Sequence, residues 1–343
     1  MPSIRMFAAV VVLATAAVRP AAADSAADFF NGKQINIVVS YGAGSYDLYA
    51  RLIAQFLKRH LPGQPTVIVQ NMPGAGGVKA ARYLLDVAPK DGTTLGVLAQ
   101  TIPFDTMLGF SEGVDAGRFH WIGRIGMNLE VGIASGKSGV RSFDDVRARE
   151  VSVGGTGGTA SSTAMPYLLS RLAGAKFKLV SGYRSANEAL LAMDRDEIDM
   201  VGAFGIASLV MRFGPRLKDG SIRPVYLSAL ARHPDFPTLP TIGELGSDDE
   251  ARQILDLFAS SSAVGRTLAA PPGVPQDRIA VLRKAMAAAL SDPELLAFSA
   301  ERNMPLEPAS GEEIEGIVRK ILTTSTPIAR KAAEALQSLK ASR

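Results

Sequence analysis

Three glycine-rich loops are the parts of the sequence best suited to binding chemistry. They cover residues 42–47, 73–77 and 154–162, and each lies between a predicted strand and a predicted helix. Such a loop leaves unpaired backbone N–H groups at the start of a helix, where the partial positive charge also favours an anion. The three loops therefore predict a binding site for a carboxylate. Each loop alone is equally compatible with a simple tight turn.

The loop at 154–162 offers the most donors, because its glycines allow close approach to the backbone and its hydroxyl side chains add further hydrogen bonds. From this loop we predict the ligand-binding residues Thr156, Gly157, Gly158, Thr159, Ala160 and Ser161. From the first loop we predict Tyr41, Gly44, Ser45, Tyr46 and Asp47. The two tyrosines could stack on a flat or aromatic acid, or Tyr46 could pack on its own helix.

Four side chains elsewhere are further candidates, since each follows a predicted strand. Gln100 and Thr101 follow the strand at 94–99, and Tyr183 and Arg184 follow the strand at 177–180. Arg184 could hold a second carboxylate with two hydrogen bonds, or it could form a solvated pair with Glu188. The same question applies to Asp47, which could face the ligand or cap its helix.

Other chemistries lack the residues they need. No phosphate-binding G-x-x-x-x-G-K-[ST] motif occurs, and no complete dinucleotide motif does either. The chain has no cysteine, and its three histidines, His60, His120 and His233, lack metal-ligand spacing. The net charge of +4 is spread among acidic residues, so no nucleic-acid surface is expected. We therefore expect no enzyme activity, no cofactor and no bound metal.

The N-terminus has the pattern of a secretory signal. Arg5 precedes an apolar stretch, and Ala21 and Ala23 occupy the small-residue positions of a cleavage site. The apolar stretch is shorter than the ~20 residues that span a membrane. Residues 1–23 are thus predicted to be removed, with cleavage near Ala23, which implies export to the periplasm.

The rest of the chain predicts two α/β domains. Apolar runs alternate with amphipathic segments, as in βαβ units with mainly parallel sheets. Residues 24–128 and 230–343 are predicted to form a discontinuous first domain, and 129–229 the second. Ser142 and Ser185 each precede an acid by three residues and so predict helix starts. Two amphipathic helices are expected at 277–290 and 311–336, both in the first domain.

Several motifs together resemble the tripartite tricarboxylate transporter receptor family, the Bug-type extracytoplasmic solute receptors. They include Asn71–Gly77 with the pattern N-x-P-G-A-G-G, Ala88–Thr93, the loop 154–162, Leu239–Gly246 and Ala270–Pro275. The resemblance covers nearly the whole chain after the signal. It implies a type II periplasmic-binding-protein fold with the ligand between two domains.

The resemblance also implies how the ligand is held. The loop ending at Asp47 and the loop 156–162 would bind carboxylates through backbone amides, hydroxyls and ordered waters. The partners would be a small organic carboxylate, either a di- or tricarboxylate or an aromatic acid, and the membrane permease subunits of the transporter, with the receptor itself a monomer. This chain lacks the proline that commonly precedes the first loop's glycines in the family, which leaves the ligand open. Two alternatives remain, a sensor subunit that feeds a signalling partner and an exported α/β hydrolase.

Overall fold

The computed structural model describes residues 26–111, 113–302, 304–323 and 327–341. The predicted signal, residues 1–23, lies outside these ranges. Within them, no helix combines the length and apolar character needed to cross a membrane.

The described residues form two separate β-sheets. The strands, numbered along the chain, are β1 (Gln34–Val39), β2 (Thr66–Asn71), β3 (Thr94–Leu98), β4 (His120–Gly126), β5 (Glu130–Ser135), β6 (Val151–Gly155), β7 (Phe177–Ser181), β8 (Met200–Gly205), β9 (Ile222–Ser228), β10 (Arg266–Ala270) and β11 (Ala309–Ser310). The first sheet has the order β11-β4-β10-β3-β1-β2, and the second has the order β7-β6-β8-β5-β9. We call the two sheets with their packed helices the first half and the second half.

Both sheets combine parallel and antiparallel pairs. Strand β1 is parallel to β2 and β3, and β6 is parallel to β7 and β8. Strands β10 and β5 run antiparallel to their neighbours. A parallel core with helical connections is the arrangement that the alternating sequence pattern predicts, so the α/β fold class is confirmed.

The helices cover the faces of the sheets. They are α1 (Ser45–His60), α2 (Val78–Arg82), α3 (Ile102–Met107), α4 (Phe143–Ala148), α5 (Ser161–Leu172), α6 (Ala186–Asp194), α7 (Ile206–Lys218), α8 (Asp249–Ala259), α9 (Gln276–Leu290), α10 (Pro293–Glu301), α11 (Gly311–Leu322) and α12 (Pro327–Ala341). The predicted helix starts at Ser142 and Ser185 are confirmed. Ser142 forms a capping box with Asp145, and Ser185 accepts a hydrogen bond from the Glu188 amide.

Each half has its own hydrophobic core. In the first half, Ile35 and Ile37 of β1 are fully buried against Ile53 and Leu57 of α1. In the second half, Val153 and Met165 belong to a core that continues into other helices. Because central strands are covered on both faces, they are apolar at nearly every position.

The C-terminal third of the chain contributes to both halves. Helices α9 and α11 pack against β4 of the first half. Helices α8 and α12 pack against α5 of the second half, with Leu255 and Leu336 in its core. The single helix predicted for 311–336 is wrong, because α11 ends at Leu322 and α12 begins at Pro327, where a proline fits the first turn. The predicted domain boundaries at 129 and 229 stay a prediction.

Candidate ligand-binding cleft

A cleft lies between the two halves, where helices from both of them begin. It contains about 520 Å³ of empty space, including its open mouth. Its lining residues come from the loops that precede α1, α5, α6 and α7 and from the starts of those helices, together with β5 and β8: Tyr41, Gly42, Gly44, Ser45, Tyr46, Glu130, Thr156, Ala160, Ser161, Ser162, Ser185, Ala186, Asn187, Ala203, Phe204, Gly205 and Ser208.

Three of these helices begin without a side-chain cap, and in α7 the first N–H group, that of Ile206, donates to the Leu129 carbonyl at 3.0 Å. The residues before α1, α5 and α7 are Gly44, Ala160 and Gly205, and none makes a side-chain cap hydrogen bond. An uncapped helix start needs acceptors for its first N–H groups, and an anion supplies them. The cleft therefore concentrates backbone donors from both halves at one place.

The loop between β6 and α5 is held in shape by hydroxyl groups in the first turn of α5. The Ser162 hydroxyl accepts a hydrogen bond from the Thr156 amide at 2.9 Å, and the Thr163 hydroxyl accepts one from the Gly157 amide at 2.9 Å. These bonds fix the backbone before a ligand arrives. A preformed set of donors loses less entropy on binding.

Glu130 places a carboxyl group at the wall of the cleft. It opens strand β5, opposite Gly205 at the end of β8, and the Gln100 side-chain amide donates a 2.8 Å hydrogen bond to Oε2. Burial raises the pKa of Glu130, and hydrogen bonding to Ser161 and the positive charge of Arg266 only partly oppose that rise. The pKa of this carboxyl group is therefore above its ordinary value.

Arg266 supplies a positive charge behind the cleft. Only 1% of this residue is exposed, and its guanidinium lies 4.3 Å from the Tyr49 ring centre. It donates a 2.5 Å hydrogen bond to the Met127 carbonyl and another bond to the Asn128 side chain. A β-carbon added at Gly205 would lie 3.3 Å from its Nη2 atom, so glycine leaves room for this charge near the start of α7.

Tyr41 and Tyr46 form one wall of the cleft. Their rings meet edge to face with centres 4.9 Å apart. The Tyr46 hydroxyl accepts a hydrogen bond from the backbone N–H of Gln100 at 3.2 Å, and the Tyr41 hydroxyl donates to the Gly76 carbonyl at 3.3 Å. Tyr46 therefore both lines the cleft and packs in the first core, so the two alternatives for this residue are not exclusive.

Seven of the predicted ligand-binding residues line the cleft, namely Tyr41, Gly44, Ser45, Tyr46, Thr156, Ala160 and Ser161. Gln100 is not a lining residue, but its side chain donates a hydrogen bond to Glu130, which is one. Thr101 and Thr159 are buried nearby, at 1% and 4% exposure, and are not among the lining residues. Tyr183 and Arg184 line an adjoining pocket with Gly76 and Thr156.

Asp47 and Arg184 are engaged with neighbours on their own segments. The expected cap role of Asp47 is wrong, because α1 starts at Ser45 and Asp47 lies within its first turn. Its carboxylate pairs with Arg51 at 2.9 Å. The Arg184 side chain is 75% exposed and pairs with Glu188 at 3.3 Å, as in the solvated alternative.

The two halves touch each other across the mouth of the cleft. The Gly42 amide donates to the Arg184 carbonyl at 3.0 Å, and the Asn187 side chain donates to the Ala43 carbonyl at 3.1 Å. A β-carbon on Gly76 would lie 2.8 Å from the Ala160 nitrogen, so the loops 73–77 and 156–160 are in close contact. The structure is therefore that of a closed clamp.

Several cleft residues were not predicted from the sequence. They include Glu130, Asn187, Phe204 and Ser208 on the lining and Arg266 behind it. A usable signal existed for Glu130 and Arg266, because each is a lone charge at the start of an apolar segment that becomes a strand. Such a charge is costly to bury unless it has a partner or a function.

Comparison with solved structures identifies the fold. The structure of the periplasmic binding protein BugD matches with a TM-score of 0.70 and 20% identity, covering 90% of this chain and 97% of that one. MatC from Rhodopseudomonas palustris with bound malate matches with a TM-score of 0.69 and 20% identity, covering 88% and 99%. A second R. palustris protein, solved with adipate, matches with a TM-score of 0.67 and 22% identity, covering 88% of this chain and 97% of that one. The fold is thus that of the type II periplasmic binding proteins.

Sequence comparison gives the family. The model of the tripartite tricarboxylate transporter family receptor matches residues 49–332. A Cupriavidus necator protein, the UPF0065 protein in gbd 5'region, is 29% identical over 248 residues, which are 69% of this chain and 72% of that protein. The chain belongs to the tripartite tricarboxylate transporter receptor family, a family of periplasmic solute receptors. The family resemblance seen in the sequence motifs is confirmed.

Proposed function

We propose that this protein captures a small organic carboxylate in the periplasm and delivers it to the permease subunits of a tripartite tricarboxylate transporter. The observation that carries the proposal is the convergence of three uncapped helix starts, from both halves, on one cleft. A carboxylate bound there would accept hydrogen bonds from both halves at once, and would stabilise the closed clamp.

The similar structures agree with this ligand class. MatC was solved with malate and the second R. palustris protein with adipate, and both ligands are carboxylates. The residues of this chain that we propose contact the ligand are the seven predicted ones that line the cleft. The three histidines are not among the lining residues, which supports a binding role over hydrolysis.

Thermal unfolding of the chain from residue 24 onwards tests the ligand class. Mono-, di- and tricarboxylates, aromatic acids, amino acids and sugars would be added one at a time. A ligand present at about 100 times its Kd stabilises the folded state by ~2.7 kcal/mol, so a true ligand raises the Tm clearly. Stabilisation only by sugars or other uncharged solutes would contradict the proposal.

Ser161→Leu tests the location of the site, because Ser161 begins α5 and lines the cleft. The larger side chain should fill the space that the carboxylate needs and reduce affinity at least tenfold. Ser291→Leu at an exposed position after α9 is the matched control and should bind normally. Equal affinities for both variants in isothermal titration would place the site elsewhere.

Two further parts of the proposal concern export and partners. The periplasmic fraction should contain a chain that begins near Asp24, which N-terminal sequencing can check, and light scattering should give the mass of a monomer. Vesicles containing the permease subunits should take up labelled ligand only when the receptor is added. Equal uptake without the receptor would contradict its proposed role in transport.

A further inference from the structure

The cleft contains one carboxyl side chain and no lysine or arginine among its lining residues. This carboxyl group belongs to Glu130. If the ligand carried only carboxylates, this group would repel it at short range, because two like charges would share a poorly solvated space. The charge of Glu130 offsets that of the buried Arg266 inside the protein. Its place on the lining of the cleft also brings it next to a bound ligand.

Glu130 has structural partners that do not fill all of its acceptor positions. Its Oε2 atom accepts a 2.8 Å hydrogen bond from the Gln100 side chain, and the side chains of Ser161 and Asn128 and the charge of Arg266 also favour its ionised form. An ionised carboxylate has about four acceptor positions. The hydrogen bonds of the buried Arg266 go to Met127 and Asn128. Glu130 retains acceptor capacity and lies on the lining of the cleft.

The position of Glu130 relative to α5 suggests what it binds. Ser161, at the start of α5, hydrogen-bonds to the carboxyl group of Glu130. The side-chain nitrogen of Gln100 lies between the two residues, 2.8 Å from Oε2 of Glu130 and 3.5 Å from the Ser161 hydroxyl. An anion at the uncapped start of α5 would therefore be a near neighbour of Glu130. A ligand that contacts both the start of α5 and the Glu130 carboxyl group needs an anionic group and a cationic donor that are separated by only one or two atoms.

We propose that Glu130 binds the ammonium group of the ligand, so that the cleft selects small α-amino acids over carboxylic acids without an amine. The carboxylate of the amino acid lies at the helix starts and its ammonium group faces Glu130. The ligand's side chain then lies towards Phe204 and Ala203, which supply the apolar part of the lining. This inference rests on the proposed function and narrows its ligand class.

The test compares pairs of ligands that differ only in the amine: L-aspartate with succinate, L-glutamate with glutarate, and L-alanine with propionate. Dissociation constants would be measured by isothermal titration at pH 8 for wild type, Glu130→Gln and Glu150→Gln. In at least one pair, wild type should bind the amino acid tenfold or more tighter. E130Q should reduce that preference to less than threefold, and E150Q, a change at an exposed residue after α4, should preserve it.

The opposite results are distinguishable. Wild-type binding of succinate, glutarate or propionate as tight as that of the amino acid overturns the role of Glu130 and leaves the carboxylate receptor intact. Tighter binding of the acids without an amine as the pH falls would mean that protonated Glu130 donates to a carboxylate, which also overturns it. Wild type that binds no carboxylate of any kind contradicts the proposed function itself. The wild-type comparison decides the matter even if E130Q does not fold.

Discussion

At the scale of single residues, ionisation of the buried Glu130 costs the fold stability. Glu130 keeps a carboxyl group in a protein-enclosed position, and burial raises its pKa. An acid with a raised pKa in the folded state binds its proton more tightly than the unfolded chain does. Its ionisation therefore weakens the fold as the pH rises from the ordinary glutamate value towards the raised one.

Glu130→Gln should accordingly stabilise the ligand-free protein at neutral and higher pH. The gain in Tm over wild type should be a few degrees at pH 8 and should shrink towards pH 4, where Glu130 is mostly protonated in the folded and the unfolded protein alike. Burial also raises the pKa of Tyr41, Tyr46 and Tyr226, so these phenols stay neutral over this pH range. A Tm difference that does not vary with pH would contradict this account.

Contacts between elements decide how the clamp closes. The loop 73–77 of the first half and the loop 156–160 of the second half meet through main-chain atoms. Gly76 and Gly158 both have positive φ, of 67° and 56°, and a β-carbon on either would lie within 3.0 Å of the opposite loop. Glycine is required here for two reasons, backbone conformation and space.

Gly76→Ala should hold the clamp open. We expect ligand affinity to fall about tenfold or more and small-angle scattering to show a larger radius of gyration with saturating ligand than for wild type. Gly32→Ala is the matched control, because Gly32 has the same φ of 67° and no atom within 4 Å of an added β-carbon. If G32A and G76A lose the same affinity, backbone strain rather than the loop contact is responsible.

The whole molecule is tied together by its C-terminal helix. Helix α12 leaves the first half and packs on α5 and α8 of the second half, where Leu336 is 1% exposed. The last helix of the chain thus completes the core of a sheet formed much earlier in the sequence.

Leu336→Ala should therefore destabilise the protein by ~2–4 kcal/mol, the usual cost of a cavity from a buried leucine. Urea unfolding followed by circular dichroism measures this loss. Leu296→Ala on α10, where the leucine is 46% exposed, should cost less than ~1 kcal/mol. Equal losses for the two variants would mean that α12 adds little to the second core.

Local signals in the sequence predicted much of this fold. The strand β3, the caps at Ser142 and Ser185 and the glycine loops all follow from short patterns. Strands β4 and β10 were not predicted, because each contains an arginine within its apolar run and each pairs with a strand distant in sequence. The place of Glu130 depends on its pairing with Gly205, and such a pairing leaves no local pattern.

Main-chain contacts at the mouth of the cleft have a consequence for how new specificities arise. The Gly42 to Arg184 bond and the contact of Gly76 with the loop 156–160 use backbone atoms, whereas the wall of the cleft presents side chains such as Glu130 and Phe204. Changes at the wall can therefore alter which solute is accepted without rebuilding the closing contacts. A library of variants at Glu130, Phe204 and Ser208 should retain the closing contacts while its members diverge in what they capture.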